Sequence, residues 1–240
     1  MIYLTGFHSM EEFIRSGKTG GARLLVANSG PRIKKIMDLA AKSGLKVFNV
    51  GQNELNTLAP DNRGAALAYE SGDKNSSAID LDSWLSGLSK KEHKVIILDH
   101  IEDPHNYGAI LRSAEVFGID LVIVPERRAS RQTDVVARTS AGAMSYVPTS
   151  SVANLARAVE KLKKAGFWVY AADMKGEALQ DIRLNGNTAI ILGSEGAGVS
   201  RLLKENCDGF VSIPQYGRIE SLNVSVAAGV IMYEMRRKPG

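Results

Sequence analysis

Short apolar runs alternate with amphipathic stretches along most of this chain, and the period switches at glycine and proline. Residues 24–27, Leu-Leu-Val-Ala, form a continuous apolar run and predict a buried strand. Pro31 opens a helical pattern through Ile33, Ile36, Met37, Leu39 and Ala40 that stops at Gly44. Strands are expected at 47–50 and 65–69, with a short helix marked by Leu55 and Leu58 between them. The polar run Ser71-Gly72-Asp73-Lys74-Asn75-Ser76-Ser77 reads as a linker, and a short helix carrying Trp84 is expected within 79–88.

From Val95 onward the alternation is stronger. Strands are expected at 95–98, 121–124, 167–170, 189–192 and 210–213, with helices at 106–117, 152–165, 199–205 and 222–235. Gly118 and Gly166 stand where two of those helices should end. Continuously apolar strands of four or five residues between helices predict an α/β fold with a parallel sheet covered on both faces. The division that follows is a small α/β domain at 1–75, a linker at 76–92 and a larger domain at 93–240.

Composition narrows the function classes. The chain has 240 residues, 44% of them hydrophobic and 23% charged, which is a globular balance. No apolar run reaches the length of a membrane span. The first residues, MIYLTGFHSMEEF, are acidic where a secretion signal would be basic, and the one cysteine, Cys207, suits a reducing cytoplasm. Cys207 reads as a packing residue. A net charge of +4 leans toward a polyanionic partner; residues 1–75 hold ten Lys/Arg against seven Asp/Glu. Arg127, Arg128 and Arg131 make a tighter cluster that taken alone reads as a solvated face; beside a polyanionic substrate it would add phosphate contacts.

Three segments carry the candidate chemistry. They are Pro104-His105-Asn106-Tyr107-Gly108-Ala109-Ile110-Leu111-Arg112, then Leu192-Gly193-Ser194-Glu195-Gly196-Ala197-Gly198, then Ile213-Pro214-Gln215-Tyr216-Gly217 leading to Ser221-Leu222-Asn223. Each joins glycine to amide, hydroxyl or charged side chains, and each follows a predicted strand. Ligands on parallel sheets bind beyond the strands' carboxyl ends, so the three should converge on one edge. The glycines of 193–198 lack the Gly-Lys-Ser/Thr of a phosphate loop and the spacing of a dinucleotide fingerprint. The four histidines have no metal-ligand spacing, and no Gly-x-Ser-x-Gly elbow is present. What remains is a site of backbone groups with Asn106, Arg112, Glu195, Ser221 and Asn223. Ser221 is expected to cap the last helix; Arg112 could alternatively pair with Glu115.

These segments resemble, in order, motifs 1, 2 and 3 of the SpoU (TrmH) family of RNA ribose 2′-O-methyltransferases, within the SPOUT superfamily. The likeness covers about 93–240, and residues 1–75 are similar to the substrate-binding domain of the family's ribosomal-RNA members. The layout is most similar to the RlmB-like type, which methylates a guanosine of 23S rRNA. The last helix is followed by little further chain, where a tRNA enzyme would be expected to carry an extension. The resemblance implies a trefoil knot, a homodimer, and S-adenosylmethionine held by backbone near Gly193, Ile213, Gly217 and Leu222. It implies that Arg112 acts on the ribose 2′-hydroxyl, with Asn106, Glu195, Ser221 and Asn223 in support and no metal. Gln215-Tyr216 stands where relatives often carry methionine with a small residue.

Arg112 could serve as base or as a charged clamp. Neutralising a guanidinium of pKa about 13 at pH 7 costs about 8 kcal/mol. A charged Arg112 that holds a phosphate and stabilises the forming alkoxide is the other possibility. Four readings compete with a 23S rRNA enzyme: a catalytically silent RNA-binding or ribosome-assembly protein, an antibiotic-resistance enzyme acting on another ribosomal nucleotide, a tRNA 2′-O-methyltransferase, and an unrelated nucleotide-binding enzyme with a doubly wound fold, which the missing phosphate motifs disfavour.

Overall fold

The structure, a computed structural model, describes residues 1–17, 19–69, 79–89, 92–126, 136, 140, 143–218 and 221–237. It divides into two compact units, Met1–Ser76 with Gln132–Tyr146, and Ser77–Arg131 with Val147–Gly240. The stretch 132–146, expected to belong with 93–240, thus groups with the first unit. There the Tyr146 hydroxyl donates to the Glu12 carbonyl at 2.8 Å, and Met144 packs on the first unit's core.

The first unit is a four-stranded sheet in the order β1-β4-β2-β3. Its strands are β1 (Ile2–Leu4), β2 (Arg23–Val26), β3 (Lys46–Asn49) and β4 (Ala65–Tyr69). β2 and β3 run parallel, whereas β4 is antiparallel to both β1 and β2. Helices α1 (Phe7–Arg15) and α2 (Pro31–Lys42) bury Met10, Ile14, Ile33 and Ile36 with Leu24 and Leu67. The other face covers Leu25, Ala66 and Ala68 with Leu55 of α3 (Gln52–Leu58).

The second unit is a six-stranded sheet in the order β10-β8-β9-β5-β6-β7, every pair of it parallel. The strands are β5 (Lys94–Leu98), β6 (Leu121–Pro125), β7 (Thr149–Val152), β8 (Trp168–Ala178), β9 (Thr188–Leu192) and β10 (Gly209–Ser212). β5 and β9 are buried along their whole length, as strands covered on both faces must be. One face packs Val95, Ile97, Ile123 and Ile191 against α6 (Leu155–Lys164) and α7 (Arg201–Asn206). The short α4 (Leu81–Ser86) adds Leu81 and Trp84 to that layer. α5 (Pro104–Val116) packs on α8 (Val224–Arg236), which also touches β9.

Two expectations are corrected. Residue 152 ends a strand, not the start of a helix; β7 is Thr-Ser-Ser-Val, paired with β6 from Val122 to Pro125, and the helix begins at Leu155 behind an Asn154 cap. β8 runs on past residue 170 to Ala178. Its pairing with β10 jumps from Phe210↔Ala171 to Val211↔Glu177, so residues 172–176 bulge out of the ladder.

Candidate active site

β5 and β9 lie side by side in register to their last residues, Leu98 and Leu192, so the first two segments leave the sheet together. β5 leads outward to β6, while β9 sits on its other flank. The strand order therefore reverses here, and a crevice opens beyond the carboxyl ends. Asp99 pins the crevice. Its N–H donates to the Leu192 carbonyl at 2.8 Å, its Oδ2 accepts from the Ser200 N–H at 2.8 Å, and its Oδ1 lies 2.6 Å from His100 Nδ1. Asp99 is buried, and His100 takes a left-handed backbone, φ 56°, that side chains with a Cβ rarely adopt.

Asp103 starts α5. Its carboxylate accepts from the N–H groups of His105 (3.0 Å) and Asn106 (3.3 Å), and Pro104 takes the first helical position, where no N–H is needed. That fixes Asn106 in the first turn, facing the second segment. After β9 the chain doubles back so that Gly198 donates to the Ser194 carbonyl at 2.9 Å. A Cβ on Gly193 would lie 2.0 Å from the Gly198 carbonyl carbon, so only glycine lets these backbones meet. The turn aims Glu195 at the other segments.

The third segment completes the cluster. Asn223, not Ser221, caps α8: its Oδ1 accepts from the Ser225 N–H (3.0 Å) and Oγ (2.5 Å). The same amide's Nδ2 donates to Asn106 Oδ1 at 3.0 Å and to Glu195 Oε1 at 2.6 Å. Asn106 Nδ2 also lies 3.3 Å from Glu195 Oε1, and the Val224 N–H lies 3.4 Å from the same oxygen. Residues 106, 195 and 223 thus form one hydrogen-bonded knot of side chains. The helix start needed a cap, and the residue that supplies it also closes the site.

Two clefts flank the 194–198 turn. One, of about 590 Å³, is lined by His100, Asp103, Asn106, Glu195 and Ser200. The other, of about 370 Å³, is lined by Gly193, Glu195, Ser221, Leu222, Met174 and Lys204. Ile213 and Gly217 stand on the exit from β10, outside both linings. Arg112 is exposed and, among the described residues, makes neither a pair with Glu115 nor another hydrogen bond or ion pair. Arg127, Arg128 and Arg131 lie outside the described residues. Burial pushes the Tyr107 phenol up to about 12, which leaves it a neutral neighbour of Asn106.

The comparisons with known proteins decide the family. A model described as the SpoU rRNA Methylase family matches residues 93–233, and one described as RNA 2′-O ribose methyltransferase substrate binding matches residues 3–63. The chain belongs to the SpoU rRNA methylase family. It is 42% identical over 210 residues to the 23S rRNA (guanosine-2′-O-)-methyltransferase RlmB of Coxiella burnetii, covering 86% of this chain and 83% of that one. It is 41% identical over 215 residues to an uncharacterized tRNA/rRNA methyltransferase of Borreliella burgdorferi, covering 87% and 94%. Its fold matches that of an AdoMet-bound rRNA methyltransferase from Sinorhizobium meliloti with a TM-score of 0.75 at 20% identity, over 98% of this chain and 86% of that one.

As a SpoU-family RNA methyltransferase, the chain places several residues at its clefts that sequence reading passed over. Asp173 and Met174 reach the smaller cleft on the β8 bulge, and Lys204 joins them from α7. Lys204 Nζ sits 2.5 Å from Asp173 Oδ2. That ammonium, then the Lys175 N–H, hold the Asp173 carboxyl below the usual aspartate range. The available signal was two polar residues, at 173 and 175, soon after an apolar strand. Asp99 was equally unmarked. Cys207 behaves as the packing residue expected: burial, then Asp208, push its thiol up to about 11, which keeps it protonated and poorly nucleophilic at neutral pH.

Proposed function

We propose that this protein transfers a methyl group from S-adenosylmethionine to the ribose 2′-oxygen of an RNA nucleotide, a guanosine of 23S rRNA. The observation that carries this reading is the Asn106–Glu195–Asn223 cluster, which ties all three family motifs together between two clefts. The likeness to the Coxiella enzyme supports the guanosine and the 23S rRNA.

The smaller cleft suits the donor. Its wall is the glycine-rich backbone of 193–198, folded so tightly that a side chain at residue 193 would strike the Gly198 backbone, and it carries apolar Leu222 and Met174 beside the Asp173–Lys204 pair. Gly193, Ile213, Gly217 and Leu222 would supply backbone contacts to the donor. The donor's sulfonium supplies an activated methyl group; the protein's part is to position the reactants and manage one proton. Asn106 and Asn223 orient the acceptor ribose, Glu195 holds both amides, and Ser221 shapes the approach to α8. Arg112, without an ionic partner among the described residues, clamps a substrate phosphate and stabilises the developing alkoxide. Arg127, Arg128 and Arg131 add phosphate contacts, and residues 1–75 select the RNA.

The protein works as a knotted homodimer in the cytoplasm. α5 and α8 leave Val116, Val226, Val230 and Tyr233 exposed at 67, 53, 38 and 53%, an apolar surface of the kind a second copy covers. Titration calorimetry with S-adenosylmethionine tests the donor assignment. Saturable binding that Gly193→Ala weakens is expected; an absence of binding overturns it.

A further inference from the structure

At one end of the first unit's sheet, four amide side chains form a network that no step above uses. Asn28 follows β2, Gln52 follows β3, Asn56 lies on α3, and Asn62 stands just before β4. β4 runs antiparallel to β2, so its start meets the carboxyl ends of β2 and β3. Asn62 is the hub. Its two N–H bonds go to Asn56 Oδ1 (2.9 Å) and the Ala59 carbonyl (2.8 Å), while its Oδ1 accepts from the Gly64 N–H (2.9 Å) and Gln52 Nε2 (3.1 Å). Gln52 gives its other N–H to Asn56 Oδ1 at 2.7 Å and accepts from Asn28 Nδ2 at 2.9 Å. Gly64 closes the arrangement: at φ 87° a Cβ there would lie 2.9 Å from Asn28, so a side chain would push the network apart.

Counting donors and acceptors shows what is left over. Asn62 and the Gln52 amide nitrogen are saturated. Among the described residues, Asn56 keeps both N–H donors, and Asn28 keeps its carbonyl oxygen and one N–H. Asn28, Gln52 and Asn56 are all exposed. One amide would suffice to brace the Gly64 turn. The surplus holds a donor group and a mixed donor–acceptor group in fixed orientation on an open surface. That pattern matches a nucleobase edge, which side-chain amides recognise by paired bonds. Exposed Lys34 and Arg63 flank the network in sequence, and residues 1–75 carry a basic excess, so a polyanion suits this face.

We propose that this amide network reads unpaired bases of the substrate RNA, with Asn56 and Asn28 as the contacting side chains and Asn62 as their positioning residue. The inference rests on the RNA methyltransferase reading and names the substrate-selecting surface for it. The test uses the full chain with in vitro transcribed 23S rRNA, measuring RNA binding by filter retention and methyl transfer from labelled donor. Asn56→Ala is expected to weaken RNA binding about 5- to 30-fold with an unchanged salt slope, whereas Lys34→Ala lowers that slope by about one. KM for RNA rises while kcat and donor affinity hold. Asn62→Ala is expected to weaken RNA binding as well, beyond any change in melting temperature. If Asn56→Ala leaves RNA affinity within about twofold while wild-type protein methylates the transcript, the network is a turn brace and the inference falls alone. If wild type binds the transcript through Asn56 without transferring methyl, the inference stands and the catalytic reading falls. Wild-type protein that does not bind the transcript overturns both.

Discussion

The two units build polar clusters in opposite ways. In the first, four amides come from within 35 residues of chain, Asn28 to Asn62, and brace a turn on a small mixed sheet. In the second, Asn106, Glu195 and Asn223 come from segments 89 and 28 residues apart in sequence. The buried central strands of a parallel sheet bring them to one edge. Local clusters of similar groups tolerate loss, because water and neighbours can replace one amide. The long-range cluster joins unlike groups at the end of a rigid sheet, so each member is needed in its own place. Function should therefore be concentrated in the second unit and graded in the first.

The hardest test of that contrast is Arg112→Ala. It should lower kcat by about 10³-fold in single-turnover methylation with little change in donor affinity, since among the described residues the side chain makes no hydrogen bond or ion pair. Next comes Gly193→Ala, which forces a Cβ onto the Gly198 backbone. Donor affinity should fall at least about tenfold by calorimetry, with about 1–3 kcal/mol of stability lost by denaturant melt. Asn223→Ala should cost about 1 kcal/mol through the lost helix cap. Asn223→Ser should restore the cap and its stability yet leave turnover impaired, because a hydroxyl cannot bridge both Asn106 and Glu195. Equal recovery of both would mean that residue 223 only caps.

The smallest effect concerns acid stability. The folded state holds the Asp173 carboxyl below its ordinary value of 3.8. Its contribution is therefore present above the unfolded value and lost as pH falls through the lower folded one. Asp173→Asn should reduce stability at pH 7 and flatten its decline below about pH 4 by well under 1 kcal/mol, an attenuation expected for a partly exposed pair. Unchanged acid melts would show that Lys204 pairs with Asp173 too weakly to matter.

How much of this was readable from residues depends on what each element needs. β5, β6 and β9 carry continuous apolar runs because both faces are buried, so the runs at 95–98, 121–124 and 189–192 announced them. β7 is Thr-Ser-Ser-Val and exists through its ladder with β6, a long-range cause that leaves little local trace. β1 spans only Ile2–Leu4, and α1 starts after Gly6 with no side-chain cap, so neither carried a boundary signal. The bulge in β8 depends on β10, 33 or more residues later, and with it went Asp173 and Met174. At the site, the identities of Asn106, Glu195 and Asn223 were legible as chemistry on strand-following loops. Their mutual bonds were not, and the helix cap moved two residues from Ser221 to Asn223 because Asn223's oxygen reaches Ser225 while its nitrogen faces the cluster.

The central claim is that the three turns hold a methyl donor against a ribose oxygen. It is tested most directly by incubating the protein with labelled S-adenosylmethionine and unmodified 23S rRNA, digesting the product and identifying the labelled nucleoside by mass. The account predicts 2′-O-methylguanosine at a single position, lost with Arg112→Ala. Label on a base, or tight RNA binding with no transfer at all, would contradict it.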